Sequence, residues 1–506
     1  MPFFCAKKSA VPDKGQEGRN WGMALSDPGF LLLFAGIFAV WHLMGRFGAG
    51  RWRWLALLAS NLLFYALGAT PTLWYSLAAA TLAAFAAALA MDATENKALR
   101  RLALAAGLAV MLGFLIAFKY LGFFTGGLLE IGLAQPIGIS FYTLQTTGYL
   151  IDVYRGRIRA ERHLGYFAAS VSFFAILTSG PITRPERLTA QLREASQRRD
   201  FDLENTSRGL VCFLFGLFEK RALADLLASL CGVVASEPGT VLDTSLLIGC
   251  VLYSLNIYFD FAGYSNMALG LGRMLGIELE QNFRRPYFAL TVRDFWSRWH
   301  LSLSHWLRDY VYIPLGGSRR GTARTLINLM LTFLVSGLWH GAGVCFLIWG
   351  ALHGLYQVVG RLTGPARERA WRRLGVSQQN PLLRLWKMAF TFALVTFAWL
   401  FFHVGTAGGD AATAFEIIRR IFSGFTLSPR AWLDGCALLE LHPEEAIRLA
   451  GLLAAAFGLD FLGRRSSPED WILARPAPVR TIICWGLVAA VLLLGRESQN
   501  FIYFAF

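Results

Sequence analysis

Charge is scarce in this chain. Only 16% of its 506 residues are charged and 55% are hydrophobic, whereas a soluble domain carries about 25% charged residues. The charges are also clustered. None falls in Trp54–Met91, Leu102–Phe118, Ile131–Ile151, Leu164–Thr183, Thr244–Phe259, Thr325–Gly360 or Thr481–Gly495. A helix needs about 20 apolar residues to cross hydrocarbon, so several of these stretches suffice for one crossing and two suffice for a pair. That distribution excludes a soluble globular domain. Short alternating segments are missing as well, which excludes a β-barrel. With no water in the bilayer core to satisfy the backbone, helices are the remaining solution.

Paired cysteines are the next absence. Seven cysteines are scattered along the chain with no Cys-x-x-Cys, so neither a metal site nor a disulfide framework is indicated; they read as small apolar packing groups. Acidic residues are few: 33 Asp and Glu stand against 48 Lys and Arg, a net charge of +15. This surplus does not imply nucleic acid, because no soluble basic domain is present to hold a duplex. Membrane proteins concentrate Lys and Arg in short cytoplasmic loops. No internal repeat is detectable.

What is there reads as an all-α polytopic integral membrane protein of roughly 10–13 helices, some of them re-entrant or interfacial. Residues 1–28 form a polar amino-terminal extension, and 29–506 form one membrane-embedded domain. Gly29 to Gly45 is the expected first helix, not a cleaved signal. The basic loops after it and after Met91 place those loops in the cytoplasm and the amino terminus outside. Leu164–Thr183 lies between two arginine-rich segments that both belong on the cytoplasmic side. One crossing cannot begin and end on one side, so a re-entrant segment is expected, with Ser170, Ser172, Thr178, Ser179, Gly180 and Pro181 suiting irregular backbone. Glu219-Lys220-Arg221 and Asp225 follow an apolar run; a helix crossing the interface competes there with a functional charge site. Ala268, Gly272 and Gly276 recur at four-residue spacing, which lets helices pack closely.

Residues 281–321 combine seven arginines and two aspartates with nine aromatic residues. This composition suits short amphipathic helices at the interface. Its arginines either anchor the chain to anionic lipid or grip the phosphate of an acyl donor, a task that suits guanidinium. His340 lies within a 36-residue uncharged stretch bounded by Arg324 and Arg361, so both ends belong in the cytoplasm and 325–360 reads as a helix pair. From Thr325 to His340 is 16 residues, or ~24 Å of helix, so His340 sits far from the cytoplasmic face, beside the turn made by Gly341 and Gly343. An ionisable side chain at membrane depth is a functional candidate by default, and a buried neutral imidazole can accept a proton. A structural histidine bonded to a neighbouring helix is the competing reading.

Several segments carry a resemblance. RDFWSRWHLSLSHWLRDYVYIPLGG from Arg293, YFDFAGYSNMALGLGRMLG from Tyr258 and SGLWHGA from Ser336 resemble the membrane-bound O-acyltransferase superfamily. PIGISFYTLQTTGYLIDVY from Pro136, Ser179-Gly180-Pro181-Ile182 and Phe501-Ile502-Tyr503-Phe504 fit the same bacterial branch, which includes the membrane subunit of alginate O-acetylation and the teichoic acid D-alanyl transfer protein. The similarity runs from about residue 26 onward. It implies a ring of tilted helices around a thin central channel. It also implies that His340 is the catalytic base and that His300 is a second polar position orienting it or polarising the acyl carbonyl. Trp299, Trp339, Tyr312, Arg298 and Arg308 are the expected substrate-facing residues, with packing as the competing role for the aromatic rings. His353, His305, His42 and His403 read as structural.

The activity implied is transfer of an acyl group, acetyl first, from acetyl-CoA or another cytoplasmic thioester, with no tightly bound cofactor and no metal. The implied acceptor is an exopolysaccharide such as alginate, reached through a periplasmic acetyltransferase partner, in the inner membrane of a bacterium. Membrane lipid is the other partner; nucleic acid is not one. A transporter or export channel for a surface polymer, with His340 and His300 as a proton relay, is the rival from another class, and a non-catalytic scaffold is a third.

Overall fold

The computed structural model describes residues 23–67, 71–129, 135–496 and 501–502. Most of the expected extension 1–28 and the Tyr503-Phe504 part of the terminal motif lie outside the described residues. Among those residues the structure is helical and contains no strand. Seven helices are long and apolar enough to cross a membrane: Pro28–Arg46, Leu73–Asp92, Lys97–Phe124, Asp243–Met274, Gly321–His340, Pro381–Thr406 and Ala477–Leu494. The remaining helices are shorter or carry charge, so the long apolar helices are fewer than the 10–13 helices expected in all. The chain is an all-α, multi-pass membrane protein.

Leu164–Thr183 does not form a span. It breaks into Leu164–Val171 and Phe174–Leu177, and its backbone then runs on without helix. Broken backbone away from water needs partners, and the Arg53–Ala66 helix supplies them. Asn61 donates from Nδ2 to the Ala169 carbonyl (3.1 Å) and accepts on Oδ1 from the Phe174 amide (3.1 Å), and the Tyr65 hydroxyl donates to the Ser172 carbonyl (2.9 Å). One buried asparagine therefore bridges the gap between the two helical pieces.

Close helix packing falls on different small residues from those expected. Leu203–Phe218 lies against Asp243–Met274 through Gly209 and Gly216 on one side and Gly270 and Gly263 on the other. A Cβ at Gly209 would stand 2.7 Å from the Gly270 carbonyl oxygen, and one at Gly216 would stand 2.5 Å from that of Gly263. The two pairs recur every seven residues, the interval that keeps one face turned toward a neighbour. Ala268 is buried, but Gly276, at φ +74°, lies just past the helix end.

Of the charges after Phe218, Glu219, Lys220 and Asp225 are buried and Arg221 is half-buried. Lys220 Nζ lies 2.7 Å from Asp260 Oδ1 and 2.9 Å from Asp225 Oδ1, and the Ile502 amide donates to Asp260 Oδ2 at 2.9 Å. This cluster ties the distal end of the described chain to the central helix. Residues 281–321 form the expected short pieces, Val292–Trp296 and Leu301–Leu307, with a wide helical turn at Arg308–Tyr312.

Candidate functional site

His340 is the last residue of the Gly321–His340 helix, and the chain turns at Gly341 into Val344–Arg373. The two arms are pressed together by Gly337 and Gly350: a Cβ at Gly337 would stand 2.3 Å from the Phe346 carbonyl oxygen, and one at Gly350 would stand 2.4 Å from that of Phe333. This contact fixes where the imidazole emerges. The ring is buried and meets Trp339, Trp349 and Phe402 edge to face, at centroid distances of 4.8, 4.9 and 5.2 Å. A slit of about 10 Å³ opens beside it, lined by Lys119, Ser140, Phe141, Thr178 and Trp339. That is room for about one water.

His300 is also buried, and its backbone is left-handed (φ 44°, ψ 55°) where the Leu301–Leu307 helix begins. A non-glycine residue adopts this conformation only when its surroundings hold it there. Asn282 is central to that hold. The Leu301 amide donates to the Asn282 carbonyl (3.0 Å), and the Ser302 hydroxyl donates to Asn282 Oδ1 (2.7 Å). The Ser302 amide also faces Oδ1, at 3.4 Å, which makes this atom the acceptor. His300 Nδ1 lies 3.4 Å from the same oxygen; the nitrogen facing an acceptor carries the proton, so the lone pair is on Nε2.

The two histidines are brought together by one indole. Trp339 lies 4.8 Å from the His340 ring and 6.1 Å from that of His300, and its Nε1 donates to the Ser140 carbonyl at 3.3 Å. On the other side of Asn282, Ser302 lines a cleft of about 440 Å³ whose walls include Arg184, Arg187, Arg284 and Arg308 together with Glu280 and Asp309. Ser302 thus joins the wall of this cationic cleft to Asn282, which in turn faces His300. Burial pushes the Asp309 carboxyl up, but Arg308 and Arg184 outweigh it and hold the group below its usual value. Arg184 also reaches Asp152 at 3.5 Å, and Asp152 pairs with Arg157 at 3.0 Å.

Trp339 lines the slit and Arg308 the cleft. The other three expected residues border neither. Trp299 is packed among Phe283, Phe295 and Trp399, Arg298 pairs with Asp294 at 2.7 Å, and Tyr312 accepts from the Gly317 amide through its carbonyl. Among the remaining histidines, His353 accepts on Nδ1 from Trp296 Nε1 at 3.1 Å, His403 stacks on Tyr253 at 3.8 Å, His42 contacts the Met274 carbonyl at 3.0 Å, and His305 lines the cleft. Asn282, Arg184, Arg187 and Lys119 are among the site residues that had no place in the sequence-based set. Lys119 had a readable signal, since it is the one charge between Arg101 and Glu130.

Comparison with known proteins gives a consistent picture. A model of the membrane-bound O-acyltransferase family matches residues 159–402. A probable alginate O-acetylase of Pseudomonas putida is 35% identical over 96% of this chain and 100% of its own length. A peptidoglycan O-acetyltransferase of Helicobacter pylori is 34% identical over 62% of this chain and 64% of its own. A teichoic acid D-alanyltransferase of Streptococcus thermophilus is 29% identical over 45% and 57%.

Proposed function

Because this chain belongs to the membrane-bound O-acyltransferase family and is an acyltransferase, we propose that it carries an acetyl group from a cytoplasmic thioester toward a hydroxyl of a secreted polysaccharide, alginate being the first candidate. The reading places it in the inner membrane of a bacterium with its amino terminus in the periplasm, working with a periplasmic acetyltransferase. The observation that carries it is the pair of buried histidines on one indole, with a cationic cleft joined to His300 through Ser302 and Asn282.

In this reading the donor is acetyl-CoA or another acyl thioester, and its phosphates rest in the cleft. Arg187, Arg284 and Arg308 are exposed there, and guanidinium groups bind phosphate bidentately. The slit, which has room for about one water as it stands, widens to admit the acyl group. Neutral His340 takes the proton of the acceptor hydroxyl as its oxygen attacks the acyl carbon, and returns that proton to the departing thiolate. General-base catalysis of this kind is worth about 10²–10⁴-fold. His300, held by Asn282 and in contact with the same indole, orients His340 or polarises the acyl carbonyl.

The test is His340→Ala in cells. Acetyl esters on the secreted polymer are expected to vanish while the polymer still leaves the cell. Halted secretion, with residual polymer still acetylated, would instead favour an export channel.

A further inference from the structure

Lys119 lies inside the Lys97–Phe124 span, where the helix widens into a π-turn over Ile116–Tyr120. Such turns insert an extra residue and are frequent at functional sites. Among the described residues no carboxylate pairs with this ammonium. The contrast with Lys220 is sharp, since that buried lysine lies between two aspartates. A cation at membrane depth without a carboxylate is expensive, and the rings of Tyr120 and Trp339, centred 5.9 and 5.8 Å from Nζ, offset part of that cost. Lys119 Nζ donates to the Trp339 carbonyl at 2.6 Å and to Ser140 Oγ at 3.0 Å. An ammonium has three N–H groups, so these bonds leave one, in a side chain that lines the slit shared with His340.

We propose that Lys119 is a further catalytic residue, whose remaining N–H receives the acyl carbonyl oxygen and holds the negative charge that forms there. The inference rests on the acyl-transfer reading above. The acceptor oxygen bonds to the acyl carbon as its proton passes to His340, and the carbonyl π pair moves onto oxygen, against Lys119. That pair then reforms the C=O bond, the carbon–sulfur bond breaks, and the thiolate takes the proton from His340. A carboxylate beside Lys119 would neutralise the cation before the oxyanion formed, so the lack of one suits this role.

The experiment uses the full chain in inner-membrane vesicles of its own host, where its periplasmic partner is present, with acetyl-CoA as the probe, following thiol release and ester formation on the host's own polymer. Lys119→Met is expected to lower kcat by about 10²-fold or more, the usual cost of one lost oxyanion donor, with KM for acetyl-CoA changed less than threefold. Lys119→Arg, which keeps the cation, is expected to recover at least a tenth of parental kcat. If Lys119→Met fails to fold by size exclusion, Lys119→Gln replaces it with the same expectation. A folded, uncharged variant within threefold of parental kcat overturns the proposal, and so does equal loss in folded Met and Arg variants. A parental protein that transfers nothing overturns the acyl-transfer reading instead, which separates the two failures.

Discussion

His300 and His340 stand 40 positions apart in the chain, yet both rings contact the indole of Trp339, at 6.1 and 4.8 Å. Trp339 also packs edge to face on Phe141 at 5.5 Å and is bonded to the Ser140 carbonyl. It is therefore a shared wall, and its replacement affects both imidazoles at once. Trp339→Ala is expected to destabilise the protein by ~3–5 kcal/mol and to abolish ester formation. Trp339→Phe, which keeps an aromatic face, is expected to retain measurable transfer. Melting in detergent and ester content of the polymer check the pair.

Arg284 is exposed at the cleft, and among the described residues its guanidinium bonds only the Gln281 side chain, at 3.3 Å, and joins no ion pair. If the cleft holds donor phosphates, Arg284→Ala raises KM for acetyl-CoA about tenfold with kcat little changed, the signature of a lost contact made equally in ground and transition states. Steady-state kinetics at fixed salt decide it.

The glycine contact between Leu203–Phe218 and Asp243–Met274 makes a strong stability prediction. A methyl at Gly216 would lie 2.5 Å from the Gly263 carbonyl oxygen and 2.6 Å from the Met267 amide nitrogen, and both are backbone atoms that cannot rotate away. Gly216→Ala is expected to cost ~1–3 kcal/mol or more through overpacking. Gly232→Ala, where a Cβ meets nothing within 4 Å, is expected to be neutral or to stabilise by up to ~1 kcal/mol. Thermal unfolding of the two variants side by side provides the measurement.

Asp309 gives the cleft an acid limit. Its carboxyl lies between Arg308 and Arg184 and is held below its ordinary value of 3.8. An acid depressed in the folded state stabilises fully above its unfolded value and loses that contribution as pH falls through the folded one. The Asp309 contribution is therefore intact at pH 5 and above and declines below pH ~3.8. Asp309→Asn is expected to lower stability at pH 7 and to flatten this part of the acid limb, as read by unfolding at pH 3, 4, 5 and 7.

Hydropathy is local, and what depends on it was readable. Several of the uncharged stretches mark spanning helices, and the broken character of Leu164–Thr183 followed from the charges on its two flanks. His340 stood out because one ionisable group lay in a long uncharged run; His300 was identified by resemblance, since its motif is crowded with charge. Lys119 carried a similar signal, a lone charge between Arg101 and Glu130, but it sits just past the uncharged Leu102–Phe118 stretch. Nothing local says that the span continues through it, with Ser140 and the Trp339 carbonyl accepting its hydrogen bonds. Asn282 carried no sequence signal, as its role depends on where Ser302, His300 and Ser265 are brought by folding. The small residues of Asp243–Met274 were legible as a class, but choosing Gly263 and Gly270 required the partner helix.

The bond from the Ile502 amide to Asp260 spans 242 positions, which has consequences for assembly. A contact so distant in the chain closes a very large loop and forms late. While the protein is being made, the central helix must wait in the bilayer with one Asp260 oxygen still lacking that amide. The interval invites misrouted pairing, and its length is set by translation speed. Slowing the ribosome downstream of codon 274 therefore ought to lower the yield of inserted, protease-resistant protein without any change in its amino acids.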